Sequence, residues 1–124
     1  MLQSSVRTFV EKEIKPLAIQ IDETHEIPAA LVRKISQMGM FGSYLPEAYG
    51  GAGMDILSYV IVVEEVSKAC GSTGILISAH TSLACNPILQ FGSEEQKKKY
   101  LPMLASGKKI GCLLLTEPGA GSDV

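Results

Sequence analysis

Apolar residues recur along this chain at helical spacing almost from its first residue. Leu2, Val6, Phe9, Val10 and Ile14 share one stripe, with Glu11 and Lys15 as an i,i+4 pair on another face. The pattern predicts an amphipathic helix, bent or broken near Pro16. Pro28 suits the start of a second helix, because its missing N–H is one that a first turn does not use. That helix carries Leu31, Ile35 and Met38 on one side and stops at Gly39. "FGSYLPEAYGGAG", Phe41 to Gly53, breaks the period with glycine and proline and predicts a long structured loop.

Asp55 is placed to cap a third helix, "ILSYVIVVEEVSKACG", which is apolar over most of its circumference and belongs near the centre of a bundle. Its Glu64 and Glu65, with Lys68 following, read as a solvated face. Past a "GSTG" break, Thr73 to Phe91 predicts a fourth helix buried in protein. Serines, threonines, His80, Asn86 and Pro87 interrupt it, unlike the nearly continuous run of about 20 apolar residues that a membrane span needs. A fifth helix begins at Ser93, whose spacing to Gln96 is that of a capping box. Glu94 with Lys98 and Glu95 with Lys99 are its expected i,i+4 pairs. Only "KIGCLLLT" near the end, short and continuously apolar, reads as a buried strand, and it has no sheet within the chain to join.

Composition narrows the class. With 124 residues, 46% hydrophobic and 19% charged, the chain is at most one small folded domain with an ordinary core. Eleven basic against thirteen acidic residues, a net charge of -2 and no basic stripe argue against nucleic acid as a partner. Cys70, Cys85 and Cys112 lack any CxxC spacing and read as small buried hydrophobes in a reducing compartment, so neither a disulfide framework nor a metal centre is expected. The N-terminus has neither a signal-peptide core nor the acid-poor character of a transit peptide.

Candidate chemistry is sparse. "EPGAGSD" has glycines that would let backbone N–H groups approach an anion, but neither the GxGxxG nor the GxxxxGK pattern occurs, and a plain tight turn accounts for it as well. His80 has no histidine or carboxylate three or four residues away and reads as a core or pocket-wall residue. Glu117 sits beside the glycine loop without a partner acid or base, and no chemistry is assigned to it.

The order of segments carries more than any one of them. "VRTFVEKEIKPLA", "LPEAYGGAGMD", "SAHTSL", "PILQFGSEEQKKKYLP" and the tail "LLLTEPGAGSDV" together resemble the N-terminal portion of the acyl-CoA dehydrogenase family, most like its bacterial short-chain, butyryl-CoA type. The resemblance implies an all-α fold, an orthogonal helical bundle over residues 1–109, followed by the first strand and loop of a truncated β domain over 110–124. It implies an FAD-dependent oxidoreductase of fatty acid β-oxidation that desaturates acyl-CoA thioesters between the α and β carbons and hands electrons to an electron-transfer flavoprotein. The parent is expected to be a homotetramer of the bacterial cytoplasm or mitochondrial matrix, without membrane attachment.

By resemblance, Leu113, Leu115 and Thr116 border the flavin ring, Gly121 and Ser122 lie near the cofactor phosphates, and Ser122 also reaches the CoA moiety. The family threads its acyl chain between central helices, where Leu83 is a candidate wall, though packing explains Leu83 equally well. The family's catalytic glutamate comes from a C-terminal bundle that this sequence does not reach. No residue here is carried over as catalytic, and the chain alone is expected to be inactive. A stand-alone helical module binding acyl-CoA or an acyl carrier without redox chemistry is the alternative.

Overall fold

The computed structural model describes residues 1–123. Five helical rods make up the fold. The first runs from α1 (Leu2–Phe9) through a π turn (Val10–Ile14) and a 3-10 turn (Lys15–Leu17) into α2 (Ala18–Thr24). Its buried stripe explains the irregularity: Val6, Val10 and Ile14 are spaced by fours, and each such step drifts about 40° around an ideal helix. The wider π turn takes the drift back, and Pro16 then falls in the tight turn, where its absent N–H breaks no α-helical bond.

The second rod, α3 (Ala29–Gln37), starts after Pro28 and buries Leu31 and Ile35. Met38 does not join them: it is the C-cap, half exposed, because the chain leaves the helix there through Gly39 at φ 70°. The loop that follows is tightly held. Two 3-10 turns (Met40–Gly42 and Glu47–Tyr49) are stapled by Ala52 N–H to the Gly42 carbonyl at 2.9 Å, Gly53 N–H to Leu45 at 2.9 Å and Met54 N–H to Ser43 at 3.0 Å. A side chain at Gly51 would place its Cβ 2.0 Å from the Leu45 carbonyl, so only glycine permits this fold-back.

The third rod, α4 (Ile56–Ala69), is capped as its sequence predicts, with Asp55 accepting the Ser58 N–H at 2.8 Å. It packs on α1 and on the fourth rod, yet Ile56, Leu57 and Val60 lie exposed, so it occupies an edge rather than the bundle centre. The solvated-face reading of its glutamates holds for Glu64, which pairs with Lys68 at 2.8 Å, and fails for Glu65. Glu65 is 3% exposed and receives Arg7 Nε at 2.9 Å, Arg7 Nη2 at 3.0 Å, Gln3 at 2.9 Å and Lys68 at 2.9 Å. Those bonds tie α1 to α4, and the Arg7 guanidinium, then Lys68 and Gln3, hold the carboxyl far below the usual carboxylate range.

The fourth rod is α5 (Gly71–Ser78), a π turn (Ala79–Cys85) and α6 (Asn86–Phe91); the "GSTG" stretch is its first turn rather than a break. The fifth, α7 (Glu94–Ala105), has its capping box: Ser93 Oγ accepts the Gln96 N–H at 3.3 Å and Gln96 Oε1 the Ser93 N–H at 2.8 Å. The expected Glu94–Lys98 and Glu95–Lys99 pairs are not formed among the described residues. Glu94 instead meets Lys97 at 3.1 Å and the Tyr49 hydroxyl at 3.0 Å, a loop contact that turns its carboxylate away from Lys98.

One core cluster joins the first four rods around Phe41, Ile35 and Val66, and a second, with Leu45, Cys85, Leu101 and Leu104, lies under α7. The all-α architecture is therefore the predicted one. The apolar stretch at the end forms no strand ladder among the described residues, since it has no partner strand. Ile110–Thr116 is irregular, and a single antiparallel bridge between Glu117 and Ala120 closes a turn over Pro118 and Gly119.

Candidate functional site

The π turn in the fourth rod sets the site. Pro87 cannot donate a backbone bond to the carbonyl four residues before it, so the ladder is already interrupted here, and Ser82 satisfies the Ser78 carbonyl through its hydroxyl at 2.7 Å. The turn aims His80, Thr81 and Cys85 inward and leaves Leu83 and Pro87 outward. His80 is fully buried, with its ring edge against Phe41 at 4.8 Å between centroids. Its Nε2 lies 3.1 Å from the Leu104 carbonyl, and its Nδ1 accepts the Gly111 N–H at 3.0 Å. These partners define a neutral ring with the proton on Nε2.

Burial pushes the His80 pKa down, opposed in part by the bond to Leu104, which favours the same neutral reading. Cys85 Sγ sits 3.4 Å from His80 Nε2, but burial pushes its thiol up to about 12, so the pair carries no thiolate.

Outside this buried layer runs an apolar groove of about 520 Å³. Its lining comes from three segments: Leu83, Pro87 and Ile88 of the fourth rod, Tyr100 and Met103 of α7, and a wall of Lys109, Cys112 and Leu113 from the chain that follows α7. A second hollow of about 420 Å³ continues it past Phe91 and shares Pro87, Ile88 and Tyr100. Among the described residues, Lys109 is the only charged one lining the groove, and no carboxylate does.

Of the residues predicted for a site, Leu113 lines the groove together with Leu83. Leu115, Thr116, Gly121 and Ser122 lie beyond it, all exposed, and Glu117 is exposed at the turn. Val124 lies outside the described residues. Cys112, expected to be buried, is exposed at the groove, because the segment carrying it has no second layer over it. His80 is the residue whose full role the sequence hides: its partners are 24 and 31 positions away.

The residues present suit a flat aromatic cofactor. Leu113, Leu114 and Leu115 present apolar side chains, the amides of residues 112–116 make no hydrogen bond among the described residues, and a Cβ at Gly119 or Gly121 would meet open space. Apolar cover next to free donors is what a flavin with its phosphates requires.

A helical domain with a one-sided apolar groove and a turn rich in small residues at its rim is the class that these features define. A family model described as Acyl-CoA dehydrogenase, N-terminal domain, matches residues 1–108, and the chain belongs to that family. The short-chain specific acyl-CoA dehydrogenase of Clostridium acetobutylicum is 54% identical over 99% of this chain and 32% of its own length. The human mitochondrial short-chain specific enzyme is 49% identical over 99% of this chain and 30% of its own length. The chain thus spans about a third of the curated relatives it matches.

Among solved structures, a chain described under the electron transferring flavoprotein of Acidaminococcus fermentans superposes with a TM-score of 0.94. It is 44% identical, over 99% of this chain and 32% of that one. An acyl-CoA dehydrogenase of Bacillus anthracis complexed with FAD gives 0.91 at 40% identity, over 99% and 21%. Among the described residues, no helix is long and apolar enough to cross a membrane.

Proposed function

We propose that this chain is the N-terminal domain of an FAD-dependent, short-chain acyl-CoA dehydrogenase, the oxidoreductase that introduces an α,β double bond into an acyl-CoA thioester. One observation carries the reading: Leu83 of the fourth rod and Leu113, the first of the predicted flavin-lining residues, line the same apolar groove. Leu83, Pro87 and Ile88 give an acyl chain an apolar wall and exclude water from it. Leu113, Leu115 and Thr116 would border the flavin ring, with Gly121 and Ser122 toward its phosphates and Ser122 toward the CoA moiety. A flavin held by these residues would supply the acceptor for a hydride from the β carbon. No carboxylate among the described residues lines the groove, so the base that removes the α-proton would be supplied from outside it, and Glu117 is not assigned that role.

We assign electron-transfer flavoprotein as the electron acceptor, on the likeness to the Acidaminococcus chain. A homotetramer in the bacterial cytoplasm or mitochondrial matrix, working in β-oxidation, completes the proposal; bacterial and mitochondrial relatives support the pair of compartments.

Anaerobic titration of the full-length protein with butyryl-CoA tests the activity. Bleaching of the flavin's visible absorption with formation of the α,β-enoyl thioester is expected, and an unchanged spectrum would refute it. The 124-residue chain by itself should purify without stoichiometric flavin and reduce no dye. A yellow chain that turns over would overturn that expectation. Micromolar affinity for butyryl-CoA by calorimetry, without flavin, would instead favour the stand-alone binding module.

A further inference from the structure

We infer that His80, in its neutral Nε2–H form, is a positioning residue that hangs the Gly111–Leu113 segment on the wall of the groove. The ring bridges two elements: Nε2–H donates to the Leu104 carbonyl at 3.1 Å, at the end of α7, and Nδ1 accepts the Gly111 N–H at 3.0 Å. Burial and the Phe41 edge contact leave the imidazole no room to turn, so the position of Nδ1 is set by the helical bundle. Gly111 is drawn close to the π turn, where a Cβ would come within 2.5 Å of that of Ala84.

Past Gly111 the backbone has no further hydrogen bond, among the described residues, until the turn at Glu117. The bond to His80 is therefore the last fixed point before Cys112 and Leu113, and it decides where their part of the wall begins. What Leu113 does on that wall rests on the proposed acyl-CoA reading. The tether itself does not.

Two variants separate positioning from mere filling. Asparagine places Oδ1 near the site of Nδ1 and keeps an acceptor for Gly111, whereas glutamine places Nε2 near that of the imidazole and keeps the donor to Leu104. In the 15N-labelled chain, the imidazole nitrogen shifts are expected to report protonated Nε2 and unprotonated Nδ1. With exchange of the Gly111 amide referenced to core amides, His80→Asn should stay within about threefold of the unaltered chain and His80→Gln should exchange about tenfold faster or more.

Equal exchange in the two variants would show that the ring only fills space, and a proton found on Nδ1 would overturn the inference outright. If both variants fail to fold, the nitrogen shifts of the unaltered chain still decide it. These measurements need no ligand. Their failure sinks the tether and leaves the acyl-CoA reading standing, while failure of the butyryl-CoA titration does the reverse.

Discussion

Gly111→Ala is the sharpest single perturbation of this site, because the chain conformation at residue 111 is open to any residue and only space forbids a side chain. The added Cβ would stand 2.5 Å from the Ala84 Cβ and 3.3 Å from Leu104 Cδ2. Carbon atoms rest at about 3.5–4.0 Å, so the first contact is short by about 1 Å. The Leu104 methyl can turn aside, but the Ala84 Cβ is fixed to a helical backbone and cannot. The segment must withdraw by that distance, which stretches the 3.0 Å bond to His80 beyond hydrogen-bonding range.

Overpacking of this kind costs about 1–3 kcal/mol, with the lost hydrogen bond inside that range. Ala84→Gly vacates the contested space at a cost of about 0.5–1 kcal/mol as a helix-interior glycine. Urea unfolding of the four members of the cycle is the assay, read as midpoint shifts at constant slope. The double variant should be more stable than the sum of the single losses by about 1 kcal/mol or more, with slow exchange restored at the amide of position 111. Additive losses, or a Gly111→Ala variant as stable as its parent, would refute the claim that this segment is pressed against the π turn.

Three further outcomes follow from the geometry. Ser93→Ala removes the hydroxyl that caps α7 and should cost about 1 kcal/mol in urea unfolding, with little change in slope. The Glu65 carboxyl is depressed in the folded chain from an ordinary 4.5, so its contribution is complete above that value and is lost as pH falls below it. Thermal unfolding across this acid range should steepen for the parent and flatten for Glu65→Gln, which should also melt lower near neutrality. In the full-length protein, Leu83→Glu should raise KM for butyryl-CoA about tenfold or more, while Val60→Glu, on an exposed face of α4 outside the groove, should leave it unchanged.

Sequence reading succeeded where the determining interaction is local. Asp55 reaches three residues ahead, Ser93 and Gln96 three residues apart, and both caps stand as expected. Prolines and glycines likewise marked the start of α3, the stapled loop and the turn at Pro118. Glu65 escapes the helix-pair rule, which sees Lys68 three residues on, because the deciding partner, Arg7, is 58 positions away. The Glu94–Lys98 pair of α7 failed for the same reason: Tyr49, 45 positions back, claims Glu94. His80 could be placed in a core or pocket wall but not given its tether, because a tautomer is fixed by whatever faces each nitrogen. The π turns were hidden as well: periodicity registers a stripe, and a stripe spaced by fours does not say how the backbone will absorb its drift.

The site's dependence on the bundle is uneven, and that follows from where its walls come from. Leu83, Pro87, Tyr100 and Met103 project from helical rods, and residues of both rods, Cys85, Leu101 and Leu104, belong to the second core cluster. Their positions are as firm as the fold. The wall that follows α7 is held by the Lys109 amide on Met103 and then by the buried imidazole, and the chain past Gly111 holds some of its most exposed apolar groups, with Leu114 at 92%. A truncation under α7, at Leu101 or Leu104, therefore reaches the groove twice: through the α7 lining, and through the Leu104 carbonyl that orients His80. A truncation of equal cost in the other cluster, at Ile35 or Val66, reaches it only through Phe41, whose ring packs on the imidazole. Both clusters thus act on the site through the imidazole between Leu104 and Gly111, the second directly and the first by way of Phe41.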